Sequence, residues 1–88
     1  MDDVVFKKLA FEEYLYWQTQ DKKTLKRINA IIKDISRNEN NGIGKSEALR
    51  GNLSGFWSRR IDEKNRLIYK IVDNKITIYN CKGHYDDK

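Results

Sequence analysis

Residues 66–81 have the sequence RLIYKIVDNKITIYNC, and this stretch decides the fold. On both sides of Asp73-Asn74, apolar residues recur at every second position, which is typical of strands with one buried face. Asp and Asn tolerate a positive φ, so this pair predicts a two-residue hairpin turn. The turn joins two antiparallel strands in which Tyr69 lies opposite Ile78.

The same period of two extends upstream, across residues 62–65, to a further predicted strand. The three strands of the meander are Leu53–Ile61, Arg66–Asp73 and Lys75–Cys81. A hairpin closed symmetrically around Glu63-Lys64 places Arg59 opposite Ile68. One sheet face then collects the core residues Phe56, Leu67, Tyr69, Ile71, Ile76 and Ile78. The other face collects Trp57, Arg59, Arg66, Ile68, Lys70 and Tyr79, and a shift of one residue would exchange the two faces.

Two helices precede the meander. Residues 9–18 carry apolar groups at helical spacing, and Asp21 suits the N-cap of a second helix from Lys22 to Asn38. The apolar stripe of this second helix consists of Leu25, Ile28, Ile32 and Ile35. Val4–Phe6 favours an initial strand. The order βααβββ predicts an α+β domain in which two N-terminal helices pack on an antiparallel sheet.

The length of 88 residues favours a single domain that covers residues 1–88. No apolar run is long enough to span a membrane, and the N-terminus lacks the pattern of a signal peptide. The lone Cys81 and the lone His84 exclude an intrachain disulfide and a Cys/His zinc site. We therefore expect a cytoplasmic protein with no metal, no cofactor and no membrane partner.

The chain carries a net charge of +5. Basic and aromatic side chains that alternate on an uncovered sheet face suit single-stranded RNA, because bases stack and phosphates are neutralised. The candidate contacts to RNA or the ribosome are Lys45, Trp57, Arg59 and Lys70. Two ordinary interpretations compete with this one: the arginines can protect a sheet edge, and Trp57 can be structural.

Cleavage of RNA without a metal needs a base for the 2′-hydroxyl proton, a cation for the phosphorane and an acid for the 5′-oxygen. Glu47 follows a glycine-rich basic loop and offers a carboxylate. Arg66 projects from the predicted uncovered face, and His84-Tyr85 follow the last strand. Taken singly, Glu47 is more often an ordinary acidic loop residue and His84 an ordinary surface residue.

Several stretches together resemble the YoeB toxins of the RelE-like superfamily, the toxin half of bacterial toxin–antitoxin modules. The resemblance covers essentially the whole chain. Its most specific segments are EYLYWQ at residues 13–18, EAL at 47–49, NLSGFWSRRI at 52–61, RLIY at 66–69 and HY at 84–85.

The resemblance implies a compact fold like that of microbial ribonucleases and ribosome-dependent cleavage of mRNA in the A site, which inhibits translation. It further implies that Glu47 is the general base, that Arg66 stabilises the scissile phosphate, and that His84, paired with Tyr85, is the general acid. An antitoxin of the YefM type and a toxin homodimer are the implied partners.

Two other classes of function remain open. One is a module that binds RNA or ribosomes without cleaving, and the other is a RelE-like toxin that poisons DNA gyrase. The set Glu47, Arg66, His84 and Tyr85 discriminates against the first, because a module that only binds needs no base and acid beside a cation.

Overall fold

The computed structural model describes residues 3–83, and it confirms the α+β class with two helices ahead of a meander. The elements are β1 (Asp3–Phe6), α1 (Lys8–Gln20), α2 (Lys22–Asn38), β2 (Glu47–Ala48), a 3-10 turn (Gly51–Leu53), β3 (Trp57–Arg60), β4 (Arg66–Val72) and β5 (Lys75–Asn80). Strand β2 was not anticipated. The predicted strand over residues 53–61 is shorter: the 3-10 turn includes Leu53, and β3 extends only from Trp57 to Arg60.

The sheet has the strand order β1-β5-β4-β3-β2 and is mixed rather than wholly antiparallel. The meander β3-β4-β5 is antiparallel as predicted, whereas β1 pairs with β5 in parallel. A parallel pair needs a long crossover connection, and α1 and α2 lie in the chain between β1 and the rest of the sheet. The prediction of an antiparallel sheet is therefore wrong at this edge.

The turn between β4 and β5 confirms the prediction made from Asp73-Asn74. Both residues have a positive φ, at 50° and 64°. Tyr69 pairs with Ile78 as expected, but Ile68 pairs with Asn80. A bulge therefore lies at this point and leaves Tyr79 as an extra residue between two paired neighbours.

The register of β3 on β4 differs by one residue from the predicted one. Arg59 lies opposite Leu67 and Trp57 opposite Tyr69, so both share the face that the helices cover. Trp57 is half-buried against the core, and Arg59 is fully buried. The prediction that Trp57 and Arg59 lie on the uncovered face is wrong. We call the sheet face opposite α1 and α2 the open face.

The loop before β4 explains this shift. The Asp62 carboxylate accepts hydrogen bonds from the backbone N–H groups of Lys64 and Asn65, at 2.8 and 2.7 Å. The N–H groups of Ile61 and Asp62 both donate to the Asn65 carbonyl. These bonds close an asymmetric loop over residues 61–65, and the symmetric turn around Glu63-Lys64 does not form.

The same shift moves two neighbours of Trp57 and Arg59 to the open face. Phe56, expected in the core, contacts Tyr79 and Lys70 there. Arg60, which follows Arg59 and so falls on the core side in the predicted register, is exposed and pairs with Arg66. The core consists mainly of the buried residues Ala10, Trp17, Ile28, Ile31, Ile35, Ile61, Leu67, Tyr69, Ile76, Ile78 and Cys81.

Helix α2 begins and ends where the sequence predicts. The Asp21 carboxylate accepts hydrogen bonds from the N–H groups of Lys23 and Thr24, as an N-cap does. Ile28 and Ile35 of the predicted stripe are fully buried, and Ile31 is buried with them. Complete burial of one such side chain contributes about 1.5–3 kcal/mol, so this stripe fixes α2 on the sheet.

Arg59 is the charged residue inside this core. Its Nη1 forms an ion pair with Asp34 Oδ2 of α2 at 2.8 Å and donates to the Ile43 carbonyl at 2.6 Å. Its Nη2 donates to the Glu39 carbonyl, and its Nε donates to the Tyr69 hydroxyl. A buried charge is tolerated only when partners of this kind replace water. Arg59 therefore ties α2, β3 and the loop after α2 together.

Gly42 allows that loop to approach the ion pair. Its φ is +154°, and a Cβ placed on it would lie 1.8 Å from Asp34 Oδ2. The same oxygen accepts a hydrogen bond from the Ile43 N–H at 3.0 Å. Any side chain at position 42 would collide with the carboxylate, so glycine is required where the loop turns toward β2.

Replacing Arg59 with alanine removes the partner of Asp34 and leaves loop carbonyls without their donors. We expect Arg59→Ala to lower the free energy of unfolding by about 3–5 kcal/mol, the cost of breaking a buried pair. Arg60→Ala is the matched control and should change it by less than about 0.5 kcal/mol, because Arg60 is exposed. Urea denaturation measures both, and equal effects would contradict the buried role of Arg59.

The Asp34 carboxylate also predicts a dependence of stability on pH. Hydrogen bonding from Arg59, more than any other contact, holds the pKa of Asp34 below its ordinary value. The ionised carboxylate therefore adds to the free energy of unfolding. This stabilisation is complete above the pKa of an unfolded Asp, about 3.9, and is lost as the pH falls through the lower pKa of the folded state. The stability difference between the wild type and Asp34→Asn should thus be constant above about pH 5 and shrink below about pH 4. Urea titrations across this range test it, and a difference that grows toward low pH would refute it.

Candidate active site

A row of paired residues crosses the open face from the outer strand inward. Glu47 of β2 pairs with Ser58 of β3, which pairs with Ile68 of β4, which pairs with Asn80 of β5. Glu47 is exposed, whereas Ser58 and Ile68 are buried. The carboxylate of Glu47 therefore stands at the rim of the sheet, beside a floor formed by Ser58 and Ile68.

Arg66 lies on the same face, two residues along β4 from Ile68. Strand geometry puts it ~7 Å along the sheet from the row and two strand spacings, ~10 Å, across from Glu47. Its Nη1 donates to the carbonyls of Asp62 and Asn65, at 2.6 and 3.1 Å. The loop that shifts the register of β3 thus also holds the guanidinium of Arg66 in place.

The end of the described chain is fixed beside Arg66. The Arg66 N–H donates to the Gly83 carbonyl at 2.9 Å, and the Gly83 N–H donates to Asn65 Oδ1 at 2.7 Å. The Asn65 amide in turn donates to the Asp62 carboxylate. His84 and Tyr85, the expected acid and its neighbour, lie outside the described residues.

Helix α1 anchors the chain just before Gly83. Trp17 Nε1 donates to the Cys81 carbonyl at 2.9 Å, and the Glu13 carboxylate accepts from the Cys81 N–H at 2.7 Å. These two residues belong to the EYLYWQ segment at residues 13–18. Through these hydrogen bonds, the segment fixes the chain that leads from β5 to Gly83.

Cys81 is a small buried residue. It is fully buried, and its Sγ lies 3.5 Å from the Ala10 carbonyl. Burial, with the nearby Glu13 charge, raises the pKa of the thiol to about 12. The protonated thiol is a poor nucleophile, so Cys81 has no part in the chemistry of the site.

The candidate RNA contacts separate into two groups. Lys45 is exposed in the loop that leads into β2, two residues before Glu47, and Lys70 lies on the open face. Trp57 and Arg59 lie on the covered face and do not line this site. Arg60, which the predicted register puts on the core side of the sheet, lies beside Arg66 on the open face instead. One sequence signal could have predicted this register. Asp62 lies three residues before Asn65, a spacing at which an Asp side chain caps a loop by accepting hydrogen bonds from the backbone.

Within residues 3–83, the His, Cys, Asp and Glu side chains form no group of three or more that could hold a metal ion. No helix in this part of the chain is long and apolar enough to cross a membrane.

Comparison with known proteins agrees with the fold. A family model described as "YoeB-like toxin of bacterial type II toxin-antitoxin system" matches residues 6–85. The toxin YoeB of Synechocystis sp. is 50% identical over 82 residues, which cover 93% of this chain and 95% of that protein. A YoeB/ParE toxin from Agrobacterium tumefaciens superposes with a TM-score of 0.92 at 30% identity, covering 94% of this chain and 99% of the other.

Two solved structures from Staphylococcus aureus are also similar. One is a heterotetrameric YoeB-YefM toxin–antitoxin complex and the other is a YoeB dimer. Each has a TM-score of 0.89 and 49% identity, and covers 94% of this chain and 97% of its own.

Fold and sequence therefore define a toxin of the bacterial type II toxin–antitoxin class. Within that class the chain belongs to the YoeB-like toxin family, which confirms the resemblance carried by its sequence segments.

Proposed function

We propose that this toxin is a ribosome-dependent endoribonuclease that cleaves mRNA by metal-independent acid–base catalysis and so inhibits translation. The observation that carries the proposal is the shared placement of Glu47 and Arg66 on the open face, with Gly83 fixed against Arg66. The proposed base, the proposed cation and the residue before the candidate acid thus share one side of the sheet.

In the proposed reaction, Glu47 accepts the proton of a ribose 2′-hydroxyl. The 2′-oxygen attacks the adjacent phosphorus, and the Arg66 guanidinium stabilises the charge that develops on the phosphorane. His84 donates a proton to the departing 5′-oxygen, and Tyr85 assists beside it. The P–O5′ bond breaks, which leaves a 2′,3′-cyclic phosphate and a 5′-hydroxyl.

The exposure of the proposed base supports the dependence on the ribosome. Glu47 is exposed at the rim of the sheet, beside the buried side chains of Ser58 and Ile68. An exposed rim orients a flexible RNA poorly by itself, whereas a second body that holds the strand supplies the needed proximity. Lys45, Arg60 and Lys70 add positive charge around the site, and we assign them to phosphate contacts.

The proposal also includes two protein partners. The related S. aureus toxins are solved with YefM and as a dimer, and we propose both kinds of assembly for this chain. A net charge of +5 favours an acidic antitoxin segment that folds as it binds. Action on translating ribosomes places the protein in the bacterial cytoplasm.

The catalytic proposal predicts that Glu47→Gln and His84→Ala keep the fold and bind ribosomes, yet cleave about 10²–10⁴-fold more slowly. Single-turnover cleavage on programmed ribosomes, read by primer extension across the A-site codon, measures this. Glu12→Gln is the matched control, because it removes an exposed carboxylate of α1. It should cleave at the wild-type rate.

Each alternative outcome has a definite meaning. A loss below about tenfold for either variant would remove that residue from its role. Ribosome binding without cleavage by the wild type would favour a module that only binds. Inhibition of DNA gyrase with no effect on mRNA would favour a gyrase poison.

If the antitoxin neutralises the toxin by covering the open face, it should compete with ribosomes for the toxin. Amide exchange at β3 and β4 should then slow in the complex while the fold of the toxin is unchanged. If the antitoxin displaces the chain end instead, exchange should change at residues 82–88. An antitoxin complex that still cleaves, with exchange unaltered at both places, would contradict both versions.

A further inference from the structure

Phe56 and Tyr79 form an aromatic pair on the open face. Their ring centroids are 4.7 Å apart, and the rings meet edge to face at 84°. Both side chains are half-buried. Tyr79 follows the buried Ile78 in β5, so alternation along the strand places it on the open face, at the bulge beside Ile68. The pair therefore lies apart from the core under the helices.

Two ammonium groups accompany the pair. Lys70 Nζ lies 4.8 Å from the centroid of Phe56, and Lys7 Nζ lies 5.6 Å from that of Tyr79. Each ring thus has a flexible cation at its face, at a distance typical of cation–π contacts.

This combination is the chemistry that binds single-stranded nucleic acid. A base stacks on an aromatic face with little dependence on its identity, and a neighbouring lysine can leave the ring for a phosphate. The cluster also contains no carboxylate among the residues that form its contacts. A polyanion is therefore the ligand that its charge favours.

The position of the cluster relates it to the proposed chemistry. Lys70 and Arg66 lie on the same face of β4, four residues apart, which corresponds to ~13 Å. Stacked nucleotides rise by ~3.4 Å each, so the distance spans about four of them. A strand whose scissile phosphate lies at Arg66 can thus reach the aromatic pair within a few nucleotides.

We propose that Phe56 and Tyr79, with Lys7 and Lys70, form an RNA subsite that stacks one base of the mRNA a few nucleotides from the scissile phosphate. The subsite rests on the proposed function in one respect, namely that single-stranded RNA is the substrate. It sets the register of the strand and takes no part in proton transfer.

The test compares Tyr79→Leu and Phe56→Leu with the wild type in single-turnover cleavage on programmed ribosomes at increasing toxin concentration. Loss of one stacked base corresponds to 1–3 kcal/mol, so the half-saturating concentration should rise about 5- to 150-fold. Tyr79→Phe restores the stacking ring and should recover most of the binding that Tyr79→Leu loses. Phe11→Leu is the matched control, because Phe11 is 49% exposed on α1 and forms an edge-to-face pair with Phe6.

A second experiment tests the subsite with the wild-type toxin and altered messages. Messages that carry an abasic residue at each position within about five nucleotides of the cleavage site should reveal one position where the wild type binds more weakly. At that position Tyr79→Leu should be insensitive to the loss of the base. Thermal melts of every variant show whether it is folded.

The outcomes separate the subsite from the function. If the wild type cleaves but both leucine variants keep half-saturation within twofold, or no abasic position matters, the subsite is wrong and the function stands. If the wild type does not cleave, the proposed function fails. Binding of the free toxin to intact and abasic oligoribonucleotides then decides the subsite, which is wrong if the two bind equally.

Discussion

The ion pair between Arg59 and Asp34 is the contact on which the rest of the structure depends. It joins α2 to β3 beneath the helices and draws the loop at residues 39–45 onto the same charge. Because that loop leads directly into β2, the ion pair also sets where Glu47 meets the sheet. A residue that never touches the open face thus determines the geometry of the open face.

The residues that stabilise the fold and the residues of the proposed site lie on opposite faces of the sheet. Its covered face carries the apolar core and the buried charge, while its open face carries Glu47, Arg66 and the pair of Phe56 and Tyr79. Three segments distant in sequence supply the proposed site, and Asn65 joins two of them by accepting hydrogen bonds from the Gly83 N–H and from the Arg66 guanidinium. Substitutions on the two faces should therefore have different signatures, in unfolding and in the proposed RNA cleavage respectively.

The family of toxins to which the chain belongs was evident from contiguous segments of sequence. Such segments identify a family even when the pairing register of its strands is unknown. The roles of those segments were not evident. The EYLYWQ segment holds Cys81 through Glu13 and Trp17, and the NLSGFWSRRI segment contributes Arg59 to the interior. Both contributions are structural, so a residue that helps to identify the family need not belong to the proposed site.

The sequence by itself determined the elements whose causes are local. Asp21 caps α2, and Asp73-Asn74 close a hairpin, because side chain and backbone within a few residues decide each. The register of β3 was decided only by the tertiary structure. Phe56 and Trp57 are consecutive aromatic residues, so either register of β3 puts one aromatic side chain on the covered face, and the alternating pattern does not choose between them. The choice came from the capped loop at Asp62 and from the partner that Arg59 finds in Asp34, contacts that exist only once helix and sheet are packed together.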